Sequence, residues 1–295
     1  MSRGKAILDS GAHTLYTEEV LKKGNKLAFG RPDKGTGFGY YETDAFWDYV
    51  DKYGEFIKEY GQGLDAFVTV DVIFNPEMSW KVQKYLERVY GVVPLPVFHW
   101  GTDQKWLKRY LKDGHQYIGI GGLGQEVSTA NYVDWADRLF SYLQGSQSEV
   151  RTHGFAMTSF FLLRRYSWTS VDSTTWVVLA GYGKLLIPHL RMNYAKGREE
   201  FDFSVFPYIL TSSNNEGKVR IKKGLGYYSL SGLENRTVGM WFEKIGLVLG
   251  DDNEEGVRNK HKQRCIANLR YFLELEKWLK TQERKVTPRE RFGLV

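Results

Sequence analysis

Residues 6–14 read AILDSGAHT. A short apolar run, Ala6-Ile7-Leu8, ends in the carboxylate of Asp9, and Ser10, Gly11 and the imidazole of His13 follow. The run has the length of a buried strand, and the glycine marks the loop into which the strand opens. Asp-Ser-Gly is also an ordinary turn sequence, so an acid at one strand mouth carries little weight alone. The pattern recurs, however. FVTVDV at 67–72 and WTSVDSTT at 168–175 bring Asp71 and Asp172 to the ends of similar runs.

Working outward, short apolar runs lie at 6–8, 67–72, 95–99, 117–120, 155–157, 168–171 and 185–188, and read as seven buried strands. Helical spacing separates them. Phe46, Tyr49 with Val50, Tyr53, Phe56 with Ile57, and Tyr60 repeat with helical spacing, with Asp44 as N-cap, and Val82, Leu86 and Val89 share another face. Val133, Ala136, Leu139, Phe140 and Leu143 form a third such stripe. A last helix over 258–282 places Leu269, Phe272, Leu275 and Leu279 on one face. Strands alternating with helices predict parallel βα units and an α/β fold. The reading is a TIM-like (β/α)8 barrel with one strand missing or displaced. Residues 1–295 form a single domain in this reading. Residues 193–250, rich in Gly, Asn, Ser and aromatics, are expected to form a basic insertion of β or irregular structure before the C-terminal helix.

Composition bounds the function classes. A chain of 295 residues with 15% aromatics has ample material for a core, and a net charge of +6 leans toward a polyanionic partner. The single cysteine, Cys265, excludes an internal disulfide and a multi-cysteine zinc site. The first residues, MSRGKAILDSG, lack the apolar length of a signal peptide, and no run of membrane-spanning length occurs. A cytoplasmic protein is expected. No Gly-x-Gly-x-x-Gly opens a helix after a strand, and GRPDKGTGFG at 30–39 lacks the Gly-Lys-Ser/Thr ending of a P-loop.

In a parallel barrel the chemistry belongs at the C-terminal ends of strands. Those ends carry Asp9, Asp71, His99 with Trp100, Gly121-Gly122, Met157 and Asp172. Aspartates there also cap helices, and Asp172 before Ser173-Thr174-Thr175 is the most cap-like. On the residues alone, catalysis and capping both stand.

Taken in order, these motifs resemble the tRNA-guanine transglycosylase superfamily. DSGAHT is similar to its Asp-Ser-Gly-Gly motif, FVTVDV to its base-reading aspartate strand, and YIGIGGLGQE to its Gly-Gly-Leu loop. HGFAM resembles the segment that supplies a stacking side chain, WTSVDSTT the nucleophile strand, and HKQRCIANLRYFLELEKWL the C-terminal helix. The tRNA enzymes of bacteria carry a zinc site of three cysteines and a histidine, for which this chain has no residues. It is therefore most similar to the zinc-free phage and bacterial members that place 7-deazaguanines in DNA.

The resemblance implies a pentosyltransferase that exchanges guanine in DNA for a free 7-deazaguanine, such as 7-cyano-7-deazaguanine, through a covalent aspartyl-sugar intermediate. Breaking an N-glycosidic bond passes through an oxocarbenium-like state that a carboxylate can trap. By the resemblance that nucleophile is Asp172. Asp9 is the general acid and then base, protonating the departing purine and deprotonating the incoming one. Asp71 would accept hydrogen bonds from the purine edge. Gly121, Gly122 and Leu123 would bring backbone to the base, with His13 and Phe155 sandwiching it. His99 or Trp100 falls where the tRNA enzymes use a glutamine, although a satisfied core histidine reads equally well at 99. His153 and His189 are read as non-catalytic, and His115 and His261 as surface residues. No cofactor and no zinc are expected.

DNA would be held by basic, aromatic-interleaved surface: Arg191, Lys196 and Arg198 after the last strand, and Lys218, Arg220, Lys222 and Lys223 in KVRIKK. The basic helix around Lys105, Lys108, Arg109 and Lys112 reads as a solvated face. No membrane partner is expected, and a monomer is favoured. In a phage-encoded protein the location would be the host cytoplasm. The alternatives are a shortened enzyme acting on tRNA, a non-catalytic nucleic-acid-binding paralogue, and an unrelated sugar-processing barrel.

Overall fold

The computed structural model describes residues 6–21, 39–122, 129–145, 149–157, 159–211, 225–226, 230–250 and 256–282. The chain divides into two compact units, and the break falls between Asp172 and Ser173. That is earlier than the insertion boundary read from composition at Asn193. Leu123, residues 30–38 of the GRPDKGTGFG stretch, and Lys218, Arg220, Lys222 and Lys223 lie outside the described residues.

The first unit is built of parallel strands alternating with helices. β1 (Ile7–Leu8) is followed by the short α1 (Ala12–Leu15), then α2 (Asp44–Tyr60), β2 (Ala66–Phe67) and α3 (Pro76–Tyr90). β3 (Val97–His99), α4 (Gln104–Lys112), β4 (Tyr117–Gly121) and α5 (Thr129–Gly145) come next. β5 (Arg151–Gly154), α6 (Phe160–Arg165) and β6 (Ser170–Val171) complete it. β1 pairs in parallel with β2, β3 to β6 pair in parallel in order, and a single parallel bridge joins the two sets. Ile7 lies beside Ala66, Val68 beside Leu95, Val97 beside Gly119, Tyr117 beside Arg151, and His153 beside Ser170. Among the described residues this series does not close on itself.

The helices start where local chemistry permits. Thr43, not Asp44, caps α2, its hydroxyl accepting from the Phe46 N–H, while Asp44 sits in the first turn where a negative charge suits the helix dipole. Asn75 caps α3, with Pro76 as its first residue, and Gly91 ends it in a left-handed conformation. Phe46, Val50, Tyr53 and Ile57 on α2 and Val82 and Leu86 on α3 pack with Val70, Val72 and Ile73 into one core. Val89 is exposed, because the apolar stripe of α3 ends a turn early. His115, read as a surface residue, is buried against Glu87 at 3.2 Å, and desolvation pushes its pKa down.

A second, smaller cluster lies on the opposite face of the strands. Val68, Leu95 and Val97 form it, with Ile7, Ala66, Tyr117 and Phe155 packed against them. Since side chains alternate across a strand, the register sets out one face: Leu95, Val97 and His99, then Tyr117, Gly119 and Gly121, then Arg151 and His153, then Ser170. The ladder's hydrogen bonds run one residue further at Phe155 and Asp172, which extends the same face to both. The fifth strand was read at 155–157 but ends at Gly154, so the apolar run FAM is a turn and the polar run RTHG is the strand.

The segment that follows β2 departs from strict alternation. Val68 faces the small cluster, yet Val70 and Val72 face the helices. A local bond from the Asp71 N–H to the Thr69 carbonyl marks the slip. Its effect is to turn Asp71 toward His99.

The second unit holds α7 (Thr175–Gly181), β7 (Lys184–Ile187), β8 (His189–Asn193), β9 (Arg198–Asp202), β10 (Tyr208–Thr211), β11 (Leu225–Gly226), α8 (Gly232–Lys244) and α9 (His261–Lys280). β7 runs antiparallel to β10, which runs parallel to β11, and β8 and β9 form a hairpin. The region from 193 to 250 therefore contains a helix as well as strands. A capping box between Ser231 and Glu234 starts it, and Trp241 and Phe242 bury its inner face. α9 packs through Asn268, Tyr271, Leu275 and Leu279, while Leu269 is exposed. The Asn268 side chain accepts from the Leu186 N–H and donates to the Trp176 and Lys184 carbonyls, stitching α9 to the edge of β7. Among the described residues no helix is long and apolar enough to cross a membrane.

Candidate active site

The strand face of the first unit ends in a group of carboxylates and imidazoles. Asp9 follows β1, Asp71 follows β2, His99 ends β3, and Asp172 follows β6. Asp9 lies within the electrostatic reach of both Asp71 and Asp172. The three aspartates singled out from sequence are thus brought together.

Gly11 turns the chain after Asp9 in a left-handed conformation (φ 73°), and a Cβ there would meet the Tyr49 hydroxyl at 2.7 Å. That hydroxyl donates to the Ser10 carbonyl, and the Ser10 N–H donates to Asp9 Oδ1. Burial pushes the Asp9 carboxyl above the usual range. The Ser10 N–H pulls it back, and the negative charges of Asp71 and Asp172 push it up again, for a net rise.

Asp71 is buried, and its Oδ2 lies 2.6 Å from His99 Nε2. The imidazole rests on the double glycine: a Cβ on Gly121 would meet His99 Nδ1 at 2.8 Å. A Cβ on Gly122, where φ is 107°, would meet the Trp100 backbone nitrogen at 2.9 Å. The glycines therefore let the ends of β3 and β4 touch. Both His99 and Trp100 are half-buried and adjoin this loop.

Asp172 is the exposed member, its side chain 58% accessible. Its Oδ1 accepts from the Ala156 N–H at 3.0 Å and lies 3.4 Å from His153 Nε2. Burial alone would raise its pKa, but the His153 and Ala156 hydrogen bonds outweigh it and hold the carboxyl below the usual range. Ala156 takes a left-handed conformation (φ 52°), which costs a non-glycine residue ~1 kcal/mol and aims its N–H at the carboxylate.

His153, read from sequence as non-catalytic, is therefore part of this group. It is buried, and its Nδ1 lies 2.6 Å from Ser170 Oγ, which in turn hydrogen-bonds the Tyr117 hydroxyl. The two period-two pairs, His153 with Phe155 and Ser170 with Asp172, were present in the sequence. The apolar run at 155–157 masks the first of them. Phe155 is half-buried, with its ring against Gly119 and edge-on to His153 at 4.6 Å. His13 is exposed on α1.

Among the described residues no cluster of three or more His, Cys, Asp or Glu side chains could hold a metal ion. In the second unit, Arg191 pairs with Asp202 at 2.7 Å, and Lys196 and Arg198 both pair with Glu200 at 3.0 Å. Asn193, Lys196 and Arg198 draw the Glu200 carboxyl down to about 2. No protein-family model, curated protein or solved structure matches the chain.

Proposed function

We propose that the chain is a base-exchange transglycosylase that replaces guanine in DNA with a 7-deazaguanine, working from a (β/α)8-type barrel. The observation that carries this reading is the opposite tuning of two carboxyls in one group. Asp172 is held ionised and exposed, as a nucleophile must be, while Asp9 keeps its proton to higher pH, as an acid must. Paired carboxyls of this kind suit glycosidic chemistry.

In the proposed reaction an Asp172 oxygen attacks C1′ as the bond from C1′ to N9 breaks. The bonding pair leaves on the purine, which takes the Asp9 proton. An incoming 7-deazaguanine then loses its N9 proton to the Asp9 carboxylate and displaces Asp172, returning the enzyme to its starting state. Asp71, one oxygen occupied by His99, offers the other to the purine edge. The His99 ring fixes the rotamer of that reading carboxylate. A duplex base must be flipped out to reach such a site.

The test is incubation of purified protein with labelled 7-deazaguanine and, in parallel, a DNA oligonucleotide or an unmodified tRNA transcript at equal phosphate concentration. Incorporation into DNA is expected. Incorporation mainly into tRNA would make this a shortened tRNA enzyme, and none into either would remove the reading.

A further inference from the structure

Tyr117, Ser170, His153 and Asp172 form one chain across three adjacent strands: hydrogen bonds join the first three, and His153 Nε2 lies 3.4 Å from Asp172 Oδ1. An ionised carboxylate only accepts, so the polar hydrogen of that contact is on His153 Nε2. Nδ1 meets the Ser170 hydroxyl, and that hydroxyl meets the one of Tyr117.

The same residue types form the Ser-His-Asp arrangement of acyl transfer, but here exposure runs the other way. In an acyl-transfer triad the serine meets substrate and the aspartate is buried. Here His153 is 3% exposed, Ser170 is half-buried in a strand with Tyr117 on its hydroxyl, and the Asp172 side chain is 58% accessible. The reactive end of the chain is the carboxylate.

We infer that Tyr117, Ser170 and His153 are positioning residues that fix the rotamer and orientation of Asp172. This rests on the transglycosylase reading for the reaction it serves, though not for the geometry. The relay converges with the Ala156 N–H on Oδ1, which leaves Oδ2 as the attacking oxygen. A carboxylate free to rotate would spend much of its time out of line with C1′, and small misplacements of a reacting group cost about 10²-fold in rate. Among the described residues the titratable groups that act with Asp172 are His153 and Asp9, which Asp71 also reaches, with Tyr117, and Arg151 over its ring, further along the chain.

The experiment follows the Asp172 carboxyl of the full chain by carbon-13 NMR titration, beside the pH profile of base exchange, in wild type, His153→Phe and His153→Gln. His153→Phe should move the Asp172 midpoint upward and carry the acidic limb of kcat/KM with it. It should also lower kcat about 10²-fold with KM little changed. His153→Gln, whose amide can still donate, should recover most of the loss. A midpoint and limb that stay in place in His153→Phe would overturn the inference. Should that variant fail to fold, Ser170→Ala breaks the chain one link back, and an unmoved midpoint there overturns it equally. If wild type exchanges no base but the midpoint still moves, the relay stands and the transglycosylase reading falls. Exchange with an unmoved midpoint gives the converse.

Discussion

The strand ends of the first unit and the β8–β9 hairpin of the second both concentrate charge, and they treat it in opposite ways. On the hairpin Arg191 faces Asp202, while Lys196 and Arg198 share Glu200. At the strand ends, among the described residues, no lysine or arginine pairs with Asp9, Asp71 or Asp172. Their partners are imidazoles and backbone N–H groups. Exposed, mutually neutralised pairs contribute little to stability and leave little field to attract a ligand. Burial, with the charges of Asp71 and Asp172, pushes the Asp9 carboxyl up, a cost that folding alone does not require. Uncompensated charge at strand ends is thus the better guide to function than the count of basic residues on a loop.

The strongest way to break this comparison is Asp172→Asn. The amide keeps shape and hydrogen bonding but is a far poorer nucleophile, and exchange should fall at least ~10⁴-fold. Turnover near wild type at saturating enzyme would remove Asp172 from the chemistry and leave it as a structural acceptor for the Ala156 turn. The cap-like reading has already yielded to Thr174 at the start of α7.

Asp9→Asn should cost ~10²–10⁴-fold, the usual worth of a general acid. The pH profile gives a sharper reading. Activity should appear as pH rises through the lowered Asp172 pKa and disappear as it rises through the raised Asp9 pKa. The Asn variant should lose the alkaline limb, and a limb that persists would assign it to another group.

Stability should separate the two carboxyls by sign. Asp172, lowered on folding, adds stability above its unfolded pKa that is lost as pH falls through the folded one. Asp9, raised on folding, adds stability below its unfolded pKa that is lost as pH rises through the folded one. Near neutral pH, Asp9→Asn should therefore raise Tm and Asp172→Asn lower it. Equal shifts of one sign would contradict the opposite tuning.

In the second unit, Asn268→Leu removes a fully buried amide and orphans the Leu186 N–H and the Trp176 and Lys184 carbonyls. The expected loss is ~2–4 kcal/mol in denaturant unfolding, against near-zero for Leu269→Ala on the exposed side. A loss below 1 kcal/mol would mean the three groups find other partners.

The smallest effect concerns the hairpin. Glu200→Gln releases Lys196 and Arg198, so DNA affinity should rise a few-fold and the salt slope steepen by roughly one or two counterions. An unchanged slope would take the hairpin out of the DNA-binding surface and leave the role to Lys218, Arg220, Lys222 and Lys223.

The sequence by itself determined the α/β alternation, the start of α2 to within a residue and of α9 to within three, and the three aspartates. Periodicity, capping residues and strand-end acids are local signals, written in adjacent positions. It also carried signs that pattern reading passed over: Ser231 and Glu234 announce α8, and the alternation around His153 announces β5. Other features were beyond local pattern. Asn268 looks like any polar helix residue until β7 brings it three backbone groups, and His115 looks exposed until Glu87 covers it. The turn at Thr69 that sends Asp71 to His99, and the register that lines up Tyr117, Ser170, His153 and Asp172, join residues up to 55 positions apart in sequence. Such pairings depend on which strand lies beside which and at what offset. A shift of one residue would send every one of these side chains to the other face, so only the tertiary structure could decide them.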